Sequence, residues 1–143
     1  MIIGFTGTRE GMTSAQGVGV ASVLGEANED DEFHFGDCIG ADAQAFEIAE
    51  MLGMFTVAHP PSNASLRANK RAQIVAPAQE YLARNKSIVD ACDVLIAAPR
   101  SRVEEIRGSG TWWCVRYARK RGKRIFIVYP DGKIEEENNG ECS

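Results

Sequence analysis

Asp93-Val-Leu-Ile-Ala-Ala-Pro99, followed a few residues later by Arg107-Gly-Ser-Gly-Thr-Trp-Trp113, is the stretch from which the fold is read. A short apolar run that breaks into small residues and then into an amphipathic helical pattern has the outline of a strand, a loop and a helix N-terminus. The first turn of such a helix carries backbone N–H groups without intrahelical partners and the positive end of the macrodipole, and glycines let an anion approach both. Gly108, Ser109 and Gly110 can equally be a plain loop in which Ser109 or Thr111 caps the helix. Recurrence of the pattern elsewhere in the chain favours the anion-binding reading.

It recurs twice. Residues 2–6 are apolar and run into Gly7-Thr8-Arg9, and Glu32-Phe-His-Phe35 runs into Gly36-Asp37-Cys38-Ile39-Gly40-Ala41-Asp42. Thr13 or Ser14 can cap a helix reaching about Glu26; Gly17 and Gly19 fall inside it, so they do not open a dinucleotide fingerprint. From Ala41 the pattern is helical, with Ala45, Ile48, Ala49 and Leu52 on one face. A third strand, residues 54–58, stops at His59-Pro60-Pro61, because two prolines cannot continue a ladder. Residues 62–79 carry Arg67, Lys70 and Arg71, show no sustained period and leave room for helical stretches in the middle. A helix resumes from Glu80 with Tyr81, Leu82, Asn85, Ile88 and Val89, the last helix covers residues 111–121, and residues 124–129 form a fifth strand before the turn Pro130-Asp131-Gly132.

Strands alternating with helices at this spacing predict an α/β fold, a Rossmann-like three-layer sandwich with a mostly parallel five-stranded sheet in the order 3-2-1-4-5. In such sheets ligands bind beyond the carboxyl ends of the strands, where strand order reverses, so the three glycine-bearing loops converge on one crevice.

With 143 residues the chain is read as one domain, residues 1–132, followed by a polar acidic tail, residues 133–143, with room for a short hairpin return. Hydrophobic residues make up 44% and charged residues 25%, the balance of an ordinary globular protein. A net charge of −4 argues against a general nucleic-acid binder. Cys38, Cys92, Cys114 and Cys142 show no CxxC spacing and there are only two histidines, so neither a metal site nor a disulfide framework is expected. The cysteines read as small buried hydrophobes, with Cys142 exposed in the tail. The chain shows no export signal and no run of transmembrane length, and a cytoplasmic protein is expected.

Gly7-Thr8-Arg9, Gly36 to Asp42, Arg84-Asn85 on the helix before the fourth strand and Gly108-Ser109-Gly110-Thr111 together resemble the SLOG superfamily of Rossmannoid nucleotide-binding domains, in particular its small YspA-like, YpsA-related branch. The resemblance runs from Ile3 to about Asp131. Relatives include the lonely-guy phosphoribohydrolases, which cleave the N-glycosidic bond of nucleoside 5′-monophosphates, and the DNA-processing protein DprA. The resemblance implies a nucleotide or phosphoribosyl ligand, no cofactor, and a homo-oligomer. The lonely-guy enzymes carry PGGxGTxxE and an arginine on the preceding helix. Gly108, Gly110 and Thr111 match the second glycine and the GT pair, and Arg84 resembles the arginine. Arg107 replaces the first glycine, and Cys114 stands where the glutamate belongs.

A carboxylate stabilises the oxocarbenium-like centre of glycosidic cleavage, and a neutral thiol is a poor substitute. Either Asp37 or Asp42 takes that role with Arg84 beside it, or the chain binds without cleaving, as a sensor or sequestering protein for a nucleotide-derived signal. A DprA-like reading, single-stranded DNA binding, is the third alternative, and the acidic charge counts against it.

The expected ligand contacts are Gly7, Thr8, Arg9, Gly36, Gly40, Asn85, Gly108, Ser109, Gly110, Thr111 and Trp112. Arg9 can fork onto phosphate oxygens or make a surface ion pair. Asp42 can contact ribose or cap its helix. One of Trp112 and Trp113 can stack on a base, although core packing is the default for both. His34, between Phe33 and Phe35, reads as a satisfied interior histidine, and His59 as a rim candidate. The run Arg116, Arg119, Lys120, Arg121, Lys123 and Arg124 reads as a solvated helix end, with a subunit or nucleic-acid contact as its alternative.

Overall fold

A computed structural model describes residues 1–140, and Cys142 lies outside the described residues. The strand β5 (Val94–Ala98) is buried along its whole length. It lies between β1 (Ile2–Gly7) and β6 (Arg124–Val128) in parallel register, which is why its sequence is an unbroken apolar run rather than an alternating one. Going outward from β1 come β2 (Glu32–Phe35), β3 (Phe55–Ala58) and β4 (Ile74–Val75); beyond β6 lies β7 (Ile134–Asn138). The sheet order is β4-β3-β2-β1-β5-β6-β7, parallel except for the β6–β7 hairpin.

The expected 3-2-1-4-5 order is thus present as β3-β2-β1-β5-β6, and two edge strands are added to it. β4 comes from the segment without period: only two residues long, it is held by the Gln73 side chain, whose Oε1 accepts the Thr56 amide at 2.8 Å. β7 is the hairpin return for which residues 133–143 left room. The Tyr129 amide donates to Lys133 O at 2.9 Å across the turn, and Arg124 Nε donates to Glu136 at 2.8 Å. Glutamates on an outer strand discourage pairing with other chains, so its composition looks like that of a tail.

The helices α1 (Ser14–Leu24) and α2 (Ala41–Met51) pack together on one face, and α3 (Tyr81–Ala91) and α4 (Gly110–Lys120) on the other. The strand period sorts the core: Phe5, Phe33, Phe35 and Ile96 pack under α1 and α2, while Leu95, Ala97, Ile125 and Ile127 pack under α3 and α4. Thr13 and Gln16 form a capping box at the start of α1. The buried Gln16 side chain also donates to Pro99 O and Val128 O, both at 2.8 Å, tying α1 to the chain just past β5 and to β6.

His34 points away from its phenylalanine neighbours and is buried. Its Nδ1 lies 2.8 Å from His59 Nε2, and its Nε2 lies 2.9 Å from Glu32 Oε1. Among the described residues no helix is long and apolar enough to cross a membrane.

Candidate functional site

The parallel neighbours β1 and β5 send their chains to opposite faces, β1 into α1 and β5 into α4, which opens a crevice at their carboxyl ends. A cavity of about 220 Å³ lies there. The end of β1 lines it with Thr6, Gly7, Thr8, Arg9 and Glu10; the loop after β2 and the start of α2 add Cys38 and Asp42; α3 adds Tyr81, Asn85 and Ile88. Arg100 and Gly108 to Thr111 close the remaining side. Nine residues expected at the site therefore meet in one cavity: Gly7, Thr8, Arg9, Asp42, Asn85, Gly108, Ser109, Gly110 and Thr111.

The two helix starts at the crevice differ. At α4, Ser109 is the N-cap and its Oγ accepts the Trp112 amide at 3.2 Å. The cap leaves Gly110 and Thr111, whose amides have no carbonyl partner within the helix, on the cavity wall. A side chain at Gly110 would overlap the Tyr81 hydroxyl, so glycine lets the tyrosine reach the helix start. The start of α2 is closed. The Ala41 amide donates to Thr8 O at 2.9 Å, and Gly40, at φ 91°, sits against the Arg9 carbonyl with no space for a Cβ. Gly40 is thus a packing residue and does not line the cavity.

Asp37 does not reach the cavity. Its carboxylate is fully buried, accepting Arg67 Nε at 3.1 Å and the Lys70 amide at 2.9 Å, and its carbonyl accepts the Ala68 amide at 2.7 Å. It anchors residues 62–79 to the sheet. Arg84 is likewise buried and behind the wall: Nη1 donates to Gly36 O at 2.7 Å and Nε to Asn85 Oδ1 at 2.9 Å. A Cβ at Gly36 would stand 2.6 Å from Arg84 Nη1 and 2.7 Å from Asp42 Oδ2, so that glycine permits the arginine and the aspartate to approach. Arg84 positions Asn85 from behind the wall, and its charge acts on Asp42.

Asp42 is the buried carboxyl on the cavity wall, with Oδ2 accepting the Cys38 amide at 3.2 Å. Burial pushes it up to about 6, against the opposing pull of the Arg84 charge and the Cys38 amide. It therefore changes protonation close to neutrality. Cys114 is buried beside Thr6, and burial pushes its thiol up to about 12 despite a hydrogen bond with Thr6. A neutral thiol thus stands at the position that resembles the glutamate of the lonely-guy enzymes.

Seven cavity residues were not among those expected there: Phe5, Thr6, Glu10, Cys38, Tyr81, Ile88 and Arg100. Tyr81 has the Arg9 guanidinium 5.7 Å and the Arg84 guanidinium 5.9 Å from its ring centre, a cation–π pairing that only the folded register of α3 brings about. For Arg100 the sequence holds a signal, since it stands two residues after β5 as Arg9 stands two residues after β1. Trp112 is a correction. It is buried in the core below α4, whereas Trp113 stacks on Tyr117 at 5.3 Å. His59 lies outside the cavity, and burial, with His34 beside it, lowers its pKa to about 4.

The arginines of the basic run on and after α4 are engaged by acids. Arg119 holds Glu104 at 3.0 Å and Glu137 at 2.7 Å, Arg121 faces Asp90 at 3.3 Å, and Arg124 faces Glu136 at 2.8 Å. Among the described residues no group of three or more His, Cys, Asp or Glu side chains is arranged to hold a metal ion.

No protein-family model and no curated protein matches the sequence. The solved structures similar to it include two bacterial proteins. The molybdenum cofactor binding protein from the phototrophic bacterium Rippkaea orientalis superposes with a TM-score of 0.70 at 25% identity, over 90% of this chain and 76% of that one. DNA processing protein A (DprA) from Streptococcus pneumoniae superposes with a TM-score of 0.67 at 19% identity, over 87% of this chain and 49% of that one. The chain shares with both the SLOG-type, DprA-like Rossmannoid fold.

Proposed function

We propose that the crevice between β1 and β5 binds a nucleotide or phosphoribosyl-type small molecule. One observation carries the reading: the first turn of α4, the Arg9 side chain and the buried Asp42 line one cavity. The phosphate fits at Gly110 and Thr111, where dipole and amides favour an anion, with Arg9 as its countercharge. The sugar hydroxyls fit Asp42 and Asn85, whose carbonyl is already engaged by Arg84 and whose amide NH₂ is left to donate. The R. orientalis neighbour, named for binding a cofactor, is consistent with a small-molecule ligand on this fold.

A second reading, hydrolysis of the N-glycosidic bond of a nucleoside 5′-monophosphate, is favoured by Asp42. A carboxyl that titrates at about 6 can both hold and release a proton near neutral pH. The neutral Cys114 counts against it, and binding without turnover, as in a sensor or sequestering protein, is therefore our first reading.

The test is equilibrium dialysis of the chain against a panel of ribo- and deoxyribonucleoside 5′-monophosphates, with chromatography and mass detection of free base and ribose 5-phosphate. Retention of at least one monophosphate, weakened at least tenfold by Arg9→Ala, is the expected result. Retention of none ends the nucleotide reading. Base release that disappears in Asp42→Asn replaces the binding version by the hydrolytic one.

A further inference from the structure

We infer that Arg100 is a second anion contact of this cavity, held in reserve by Glu105 and Glu10, and that this arrangement selects ligands carrying a doubly charged phosphate. The inference rests on the reading of the crevice as a phosphate-ligand site and names the feature of the ligand to which it responds.

Arg100 lines the cavity from the loop between β5 and α4. Its position along the chain is fixed, because the carbonyl of the preceding Pro99 accepts Gln16 Nε2 at 2.8 Å. Its guanidinium is half exposed and forks onto one carboxylate, Nε to Glu105 Oε1 at 2.9 Å and Nη2 to Glu105 Oε2 at 2.8 Å, with Glu10 Oε1 at 3.7 Å on a third nitrogen. Glu10 is itself a cavity residue. A guanidinium fork that accommodates a carboxylate bidentately has the geometry that accommodates a phosphate bidentately.

The loop can exchange this partner without moving its backbone. The Glu105 carbonyl accepts Arg116 Nη1 at 2.9 Å, Arg102 reaches Asp131 at 3.2 Å and lies over the Tyr129 ring at 4.5 Å, and Glu104 is tied to Arg119. These contacts pin the chain on both sides of Arg100 and Glu105, whereas the Glu105 carboxylate itself is held by Arg100. A change of side-chain rotamer frees the guanidinium. An ion pair this exposed to water is weak and readily exchanged.

Selectivity follows from charge. A singly charged ligand offers Arg100 no more than Glu105 already does, and Glu105 is tethered beside it at high effective concentration. A phosphate monoester near neutral pH carries close to two charges and three acceptor oxygens, so it competes where a carboxylate does not. Glu105 is thus a positioning residue that raises the threshold for anions at the mouth, and Arg100 is the contact it withholds.

The experiment measures the affinity of adenosine 5′-monophosphate, inorganic phosphate and adenosine for the native chain, Glu105→Gln and Arg100→Gln by calorimetry at low salt, with thermal unfolding to confirm that each variant is folded. Glu105→Gln is expected to bind the monophosphate and phosphate about threefold more tightly, the scale of one exposed ion pair. Arg100→Gln is expected to bind both about tenfold more weakly, the scale of one charge-assisted hydrogen bond. Adenosine affinity stays unchanged in both. Monophosphate binding that is equal in all three proteins overturns the inference and leaves the nucleotide reading in place. Phosphate that follows the expected order while the monophosphate does not bind supports the inference and removes the nucleotide reading. No binding of either anion removes both.

Discussion

The loop after β2, Gly36-Asp37-Cys38-Ile39-Gly40, and the loop before α4, Arg107-Gly-Ser-Gly110, look alike as sequence and are built on opposite principles. In the first, glycine is required by close packing: Gly36 leaves room for Arg84 and Asp42, and Gly40 for the Arg9 carbonyl. Its acid Asp37 is fully buried and hydrogen-bonded. In the second, only Gly110 is required by packing, against the Tyr81 hydroxyl; Gly108 has φ 79° but open space around it, and the acids of the preceding stretch, Glu104 and Glu105, form partly exposed ion pairs. One loop is a wall of the cavity and the other a strap across its mouth. Glycine and acid in a loop therefore say that the backbone is unusual there, not whether a ligand or the protein's own atoms come close.

The widest separation between the two loops is expected for alanine at their glycines. Gly40→Ala combines a strained φ with overlap of the Arg9 backbone, which cannot move without shifting β1, and should cost on the order of 5 kcal/mol or prevent folding. Gly108→Ala carries the φ strain alone, about 1 kcal/mol. Urea unfolding of the two variants checks this, and equal losses would erase the distinction between wall and strap. Next in size, Asp37→Ala should cost about 4 kcal/mol, because it leaves Arg67 and the Lys70 amide without their buried partner. Its counterpart in the strap, Glu104→Ala, should cost less than about 1 kcal/mol and become nearly neutral in high salt.

This contrast also marks how far the sequence could be read. The alternation of apolar runs with glycine-bearing loops leads to the parallel sheet and its switch point, because βαβ handedness and short connections leave few other arrangements. It leads equally to the cavity residues that sit on strand ends, Gly7 to Arg9, and on a helix start, Gly108 to Thr111. Where it failed, the decisive contact came from a distant element or from rotation about a helix. Asp37 and Asp42 look interchangeable until Arg67 and Lys70, from the segment without period, engage the first. Trp112 and Trp113 are adjacent, and only the packing of α4 decides that the former enters the core. Tyr81 sits on an ordinary helical pattern. β4 is two residues long and β7 is glutamate-rich, so neither carries the apolar signature of a strand.

A further pair of effects, opposite in sign, is expected from two titrating groups, Asp42 on the wall and His59 outside the cavity. Asp42 has its pKa raised from 3.8 to about 6, so the native state holds the proton more tightly than the unfolded chain. Its ionised form costs stability, fully above about pH 6, and the cost fades as the pH falls toward 3.8. Asp42→Asn should therefore stabilise the chain by about 3 kcal/mol at pH 7.5, and on the proposed reading of the cavity it should weaken ligand binding. His59 has the opposite sign. Its pKa is lowered from 6.5 to about 4, so the unfolded chain takes up the proton first, and stability that is complete above pH 6.5 is lost as the pH falls through 4. Partial exposure limits this contribution to about 2 kcal/mol. Between pH 4 and 6 the two groups pull against each other, and their terms in the native chain's pH dependence partly cancel. Each single variant should unmask the other group: chemical unfolding of Asp42→Asn should weaken steadily on acidification, and that of His59→Gln should strengthen. If both variants keep the native profile, the burial of Asp42 against Arg84 is not what sets its affinity for the proton.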